Sequence, residues 1–357
     1  MVVVSGNAQF GVGGLGRHLA QIVEQHRLKG DLEKFYTLVD SEKHSLQDQI
    51  DPKVSIHWRN SMHLFSSPDW EIYFSTEAFD LEVSARMPSS QIFHGLDGSS
   101  MHTLKRARAL KYKELHLEGG MSHILNVDRL WERACAADCI EKNPLHPAVI
   151  DRFIMEYELA DVIWVSSDYS LQTFRENGVS SQKLRRRYLN IPGRFKVSPE
   201  LPSDDIFRIV YVGHLSPAKG IPVLLKAFEN FTGKAELILI GTAYTESMKE
   251  FLLRFKRRDS RISFHKGDPL PYLHKADVYV HPSYQEGFGY APVEALACGV
   301  PVIVTEDTGM KEYVKNGVNG YVVPTGSVEA ILEKLIEVRE NSLRKKLWEK
   351  MRLESRK

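Results

Sequence analysis

Short, almost wholly apolar runs alternate with amphipathic stretches along most of this chain. The apolar runs fall at residues 2–5, 34–39, 162–165, 208–212, 235–240, 277–281 and 302–305. Runs this short, bounded by glycine, proline or polar residues, predict buried strands. Between them, residues 17–28 place Leu19, Ala20, Ile22, Val23 and Leu28 close to helical spacing, and 148–158, 222–231 and 328–338 read the same way. Residues 166–170 are rich in serine and aspartate, which suits the start of a further helix. Strands alternating with helices predict an α/β protein with parallel sheets. The alternation breaks over residues 190–205, where Pro192, Gly193, Pro199 and Pro202 stand among polar residues. That break predicts two domains, 1–190 and 206–340, with a linker at 191–205. Residues 341–357 turn charged and predict a C-terminal helix, most simply a frayed and solvated end.

Composition narrows the class without naming a function. The 357 residues are 43% hydrophobic and 26% charged, as in soluble globular proteins. A formal net charge of +1 gives no global reason to bind nucleic acid. The three cysteines are sparse; Cys135 and Cys139 lack the second ligand pair of a zinc site and read as buried free thiols in a reducing compartment. No run of eighteen apolar residues occurs, so the expectation is a cytoplasmic protein rather than a membrane-spanning one.

The chemistry concentrates at residues 281–305. An apolar strand ends at His281, and a loop with Gly287 and Gly289 follows, where backbone can approach a ligand closely. Pro292 suits a helix's first turn, Gly299 a C-cap and Pro301 a stop. Strand, glycine loop and helix N-terminus together suit an anion, and Glu286 and Glu294 flank that place, one in the loop and one in the helix's first turn. Gly213, Lys219, Gly241 and Gly267 fall at other strand ends of the same half, where α/β sheets bind ligands.

The first half offers weaker signals. Gly11, Gly13 and Gly16 spell a dinucleotide fingerprint, with Asp40 near the place of a ribose-binding acid, but residues 6–10 separate it from the first strand. A glycine turn needed only for packing, or a longer loop lining a cleft, are the other readings. His94 ends a strand, where a histidine can bind a hydroxyl or support charge, and where it is more often structural. Lys105, Arg106, Arg108, Lys111 and Lys113 form a basic helical run, either a solvated face or a contact with an anionic membrane or phosphorylated acceptor.

These residues resemble the retaining GT-B glycosyltransferases of family GT4. The resemblance rests on 213–220, Gly241, 276–283, and Glu286 with Glu294 in the family's E-x7-E, and it continues through 295–302, 317–320 and 323–324. Over the first half it is looser: Gly13 and Gly14 before a helix, His94, and residues 160–167. It implies two Rossmann-like domains facing across a cleft, with a nucleotide sugar held mainly by the second. Carried over, Glu286 bonds donor-sugar hydroxyls and Glu294 the ribose, while backbone at Gly287, Phe288, Gly289 and Tyr290 faces the phosphates. Lys219 neutralises the diphosphate, His94 sits near the anomeric carbon, and Gly13 and Gly14 let backbone approach phosphate or acceptor. Where the family has arginine, this chain has His214, so donor affinity is expected to weaken as pH rises through the histidine pKa. The family's final helix usually crosses back to the first domain, and the chain stops about there.

The resulting expectation is a metal-independent hexosyltransferase acting in polysaccharide biosynthesis. It would use UDP-glucose by family frequency and a saccharide or lipid-linked acceptor, with no cofactor and no nucleic acid, at the inner membrane face where the basic run makes contact. No Asp-x-Asp motif occurs, so a clamp of Lys219, His214 and the helix N-terminus would take a metal's place. The rivals are an NAD-dependent sugar-nucleotide epimerase or oxidoreductase built on Gly11, Gly13, Gly16 and Asp40, and a nucleotide-sugar-binding protein without activity.

Overall fold

The computed structural model describes residues 1–38, 46–50 and 68–354, the side chains of 68–72 excepted. Contacts group the chain into two units, Met1–Asn126 with Pro144–Asn190, and Val127–Asn143 with Ile191–Lys357.

In the first unit seven parallel strands stand in the order β3-β2-β1-β4-β5-β6-β7. They are β1 Val2–Ser5, β2 Leu32–Leu38, β3 Gln47–Ile50, β4 Ile92–Leu96, β5 Glu114–Gly119, β6 Val162–Val165 and β7 Leu184–Arg186. The order reverses between β1 and β4, the place in such sheets where a ligand crevice opens beyond the strands' carboxyl ends. All four residues of β1 are buried, which is why an unbroken apolar run codes for it. The helix after β1 is Gly13–Lys29, so the glycines predicted as loop begin the helix. The second strand runs Leu32–Leu38; Val39 and Asp40, predicted to end it, lie outside the described residues.

The second unit carries six parallel strands in the order β10-β9-β8-β11-β12-β13. They are β8 Phe207–Val212, β9 Ala235–Ile240, β10 Ile262–His265, β11 Val278–His281, β12 Val302–Thr305 and β13 Gly320–Val323. One face packs under the helices Ile221–Glu229, Glu246–Arg258 and Val328–Glu340, with Leu224, Phe228, Leu237, Leu239 and Leu335 in its core. The other packs Val210, Ile240, Tyr279 and Val304 against Ala295, Cys298 and Val300. Here the order reverses between β8 and β11, so their carboxyl ends, Val212 and His281, border the switch point.

Two expectations change. Cys135 and Cys298 are buried free thiols, but Cys139 is exposed at the end of the helix Ile124–Asp138. The C-terminal segment is not frayed: helix Leu343–Glu354 buries Leu343, Arg344 and Leu347. Its Trp348 Nε1 donates to the Ser198 carbonyl at 2.8 Å. The pattern misled because charged residues dominate the outer face and only three positions face inward.

Candidate active site

The loops beyond β8 and β11 are locked together by backbone. Tyr284 N donates to Ala218 O at 2.9 Å, joining the segment that carries Lys219 to the one that carries Glu286. Gly220 sits at φ +69, and a Cβ there would lie 1.9 Å from the Pro282 carbonyl oxygen. At Gly241 a Cβ would lie 1.8 Å from the Gly213 carbonyl oxygen. Glycine at both positions is therefore a steric condition for bringing the three strand ends this close.

Glu286 is anchored on its own backbone. Its N–H reaches Asp307 O at 3.3 Å and its carbonyl accepts from Gly309 N at 3.0 Å. The side chain pairs with Lys219, both about one-fifth exposed, and His281 Nε2 lies 3.7 Å from the same oxygen. Burial alone would raise the Glu286 pKa, but the Lys219 charge, helped by His281, outweighs it and holds the carboxyl well below the usual range. Burial lowers the pKa of His281, so the charged partners are Lys219 and Glu286. His281 is held between the rings of Tyr211 and Tyr279, with its Nδ1 3.4 Å from the Tyr279 hydroxyl. Position 281 entered the sequence reading only as a strand end. A histidine directly before the glycine loop was the signal for its part in the site.

The remaining predicted residues divide. Gly289, at φ +88, precedes the helix Tyr290–Ala297, which starts two residues before Pro292. Glu294 is therefore past the first turn, and it is 2% exposed. Gly287 is buried behind the loop and Tyr290 is half-buried at the helix start. Phe288 is buried, its ring edge-on to Tyr290 and Tyr313, so it packs the loop. Gly213 lies at the end of β8, and His214, exposed, meets Tyr244 edge-on at 5.0 Å. Partial desolvation of its ring, then the Lys219 charge, lower the His214 pKa, with Glu286 opposing in part. The expected second cation is thus neutral at neutral pH. Gly267 is exposed beyond β10, the edge strand, with open space around it.

In the first unit, Gly13 and Gly14 are exposed at the start of their helix, and Gly13 alone of the two needs a positive φ, +65. The strand ends at Ser5 and the helix starts at Gly13, so the glycine fingerprint does not follow the strand directly. His94 does not offer its ring to a ligand in this unit. It is 1% exposed; its Nε2–H donates to Glu118 Oε1 at 2.8 Å and its Nδ1 lies 3.3 Å from His26 Nε2. Glu118, fully buried, also takes His18 at 2.9 Å and Arg187 at 2.6 Å. Burial lowers the His94 pKa to about 4, against the pull of Glu118. Glu118 itself titrates below the usual range: burial would raise it, and the bonds and charges of His18 and His94 prevail. Sequence reading missed this network; its one local signal was His18 and His26, eight apart on the apolar face of one helix. The basic run is exposed at Lys105, Arg106, Arg108, Lys111 and Lys113, with Arg108 paired to Asp161 at 2.8 Å. Among the described residues no helix is long and apolar enough to cross a membrane, and no cluster of histidine, cysteine and carboxylates is arranged for a metal.

Residues 194–357 match the family model described as glycosyl transferases group 1. The chain is 29% identical over 219 residues to the capsular polysaccharide biosynthesis glycosyltransferase CapM of Staphylococcus aureus, covering 59% of this chain and 54% of that protein. It is 31% identical over 137 residues to O-antigen chain mannosyltransferase B of Escherichia coli, 36% of this chain and 35% of the relative. The match thus spans about half, or less, of these relatives' lengths. Among solved structures, sucrose-phosphate synthase of Thermosynechococcus elongatus aligns with a TM-score of 0.73 at 18% identity, over 99% of this chain and 94% of that one. HepE of Anabaena, solved with UDP, aligns at 0.66 and 15% identity, over 97% and 92%. These likenesses show the GT-B fold, with its two parallel-sheet α/β units. Residues 194–357, a little under half of the chain, are thus similar to the glycosyl transferases group 1.

Proposed function

We propose that this protein is a glycosyltransferase that moves a sugar, with retention of configuration, from a nucleoside diphosphate sugar to a saccharide or lipid-linked acceptor. The observation that carries the reading is the Lys219–Glu286 pair at the switch point of the unit that matches the family. A partly exposed ammonium beside a carboxylate suits a ligand with both phosphate and hydroxyl groups. When the donor's phosphates take Lys219, the Glu286 oxygens are freed to accept from the sugar's hydroxyls. Glu294, deeper in the helix, is proposed for the ribose. UDP is the favoured nucleotide and glucose the favoured sugar, in keeping with the HepE structures titled with UDP and with UDP-glucose.

In the transfer, the bond from C1 to the leaving phosphate oxygen breaks, and the acceptor oxygen bonds to C1 on the same face. The acceptor's proton goes to the departing phosphate. Lys219 stabilises the charge that develops on that phosphate, a contribution that grows in the transition state. His94 is assigned no contact with the reacting atoms, because its ring is enclosed. Contact of the basic run at 105–113 with an anionic membrane face belongs to this proposal as the route to a lipid-linked acceptor.

Titrating UDP-glucose, UDP-galactose, UDP-N-acetylglucosamine and GDP-mannose by calorimetry, and then following nucleotide release, tests the reading. Binding with nucleotide release that rises on adding acceptor supports it. Binding without release under any acceptor would make the protein a sugar-nucleotide binder, and an absorbance change with NAD would favour the oxidoreductase.

A further inference from the structure

The helix Leu343–Glu354 buries an arginine. Arg344 is 5% exposed, and the Asp277 carboxylate acts on its charge through space. Its N–H groups are met by carbonyl oxygens. Nη1 donates to Cys298 O at 3.1 Å and, more closely, to Gly299 O; Nη2 reaches His274 O at 3.5 Å. These carbonyls close the C-terminal ends of two helices, Tyr290–Ala297 and Leu270–Lys275. Burying a cation costs stability unless its surroundings compensate. Here the compensation is the negative end of two helix dipoles, together with the charge of Asp277. Gly299, at φ +73, turns its carbonyl toward the guanidinium, and a Cβ there would come within 3.0 Å of Nη1. The arginine and the glycine form one joint.

The first of the two helices begins at the glycine loop after Glu286 and carries Glu294. It has only eight residues, about 12 Å by the α-helical rise, so what fixes one end fixes the other. The site at its N-terminal end is short of positive charge. Lys219 is matched by Glu286, and His214 is neutral at neutral pH.

We infer that Arg344 is a positioning residue for the donor site, the buried cation at the C-terminal end of the Tyr290–Ala297 helix that fixes this helix and makes its N-terminal end more attractive to the donor's phosphates. The inference rests on the proposed function for the ligand's identity, but the brace itself does not. The C-terminal helix is thereby part of the donor-site machinery, although none of its residues touches the ligand.

The experiment compares wild type, Arg344→Lys and Arg344→Met in the full-length chain by thermal melting, amide hydrogen exchange over 286–297, and UDP titration. Both variants lose hydrogen bonds and should melt lower by similar amounts. The lysine variant keeps the charge, so UDP affinity should stay within about threefold of wild type, whereas the methionine variant should lose about tenfold or more. Exchange at 286–297 should rise in the methionine variant and be largely restored by lysine. Equal UDP affinity in all three proteins overturns the inference, as does an equal loss in both folded variants, since packing alone would produce it. If wild type binds no UDP, the donor reading fails instead. The exchange data then decide the brace by themselves, and unchanged exchange in the methionine variant overturns it.

Discussion

Two of the carboxylates that hold cationic or histidine partners, Glu118 and Glu286, are used differently. Glu118 in the first unit is fully buried and receives His18, His94 and Arg187, so both of its oxygens are engaged. Glu286 in the second unit is about one-fifth exposed and receives Lys219, with His281 farther off. Exchanging a partner of Glu118 would leave buried charge unmatched, at a cost of several kcal/mol. Exchanging the partner of Glu286 costs far less, because a ligand phosphate can replace the carboxylate at Lys219. The first arrangement builds a sheet; the second is open to a substrate.

Breaking each in turn should separate stability from activity. Glu118→Ala leaves two histidines and an arginine without their shared acceptor and should destabilise the first unit by roughly 3–5 kcal/mol, read as the earliest transition in a melt. A wild-type melting curve for this variant would contradict the architectural role. Lys219→Ala should lower the melting temperature less than Glu118→Ala does and cut sugar transfer by roughly 100-fold or more.

The glutamates of the second unit sharpen the contrast. Glu286→Gln should lower turnover more than UDP affinity, while Glu294→Gln should lower UDP affinity more than turnover. The same direction of change in both variants would remove the distinction between sugar and ribose.

Acid should reveal the first unit's histidine. The His94 pKa is lowered from 6.5 to about 4, so the unfolded chain binds a proton there that the folded chain refuses. The associated stability is complete above pH 6.5 and is lost as pH falls toward 4, by on the order of 2–3 kcal/mol. Denaturant midpoints measured across that window should fall in wild type and fall less in His94→Gln. Glu286 has the same sense in a more acid window: its ordinary pKa of 4.5 is depressed, so its share of stability is complete above pH 4.5 and is lost only in stronger acid.

The smallest effect concerns His214. Because its pKa is lowered, UDP affinity should be flat from pH 7 to 8.5 and rise only below pH 6.5, and His214→Arg should tighten UDP a few-fold at neutral pH. A steep fall between pH 7 and 8.5 in wild type would show a cationic histidine there after all.

The second unit was the more legible half of the sequence. Strands buried on both faces, such as Val302–Thr305, are written as unbroken apolar runs, and the loops beyond them carry glycine for steric reasons that survive in one dimension. Glu286 and Glu294 lie on one continuous segment, so their spacing could be read directly. The Glu118 network could not, because it joins residues 18 and 26 of one helix with 94, 118 and 187 of three distant segments whose adjacency exists only in the sheet order. His94 looked available because a strand-end histidine carries no mark of what surrounds it. Arg344 hid in a charged run, where only burial distinguishes it from its neighbours.

The central claim is that Lys219, paired with Glu286, receives the phosphates of a nucleotide sugar. Calorimetric titration of UDP into wild type and Lys219→Ala at pH 7.5 tests it most directly. The account predicts binding in wild type and at least tenfold weaker binding in the variant, with the variant still folded. Equal affinities in the two proteins, or no binding by wild type, would contradict it.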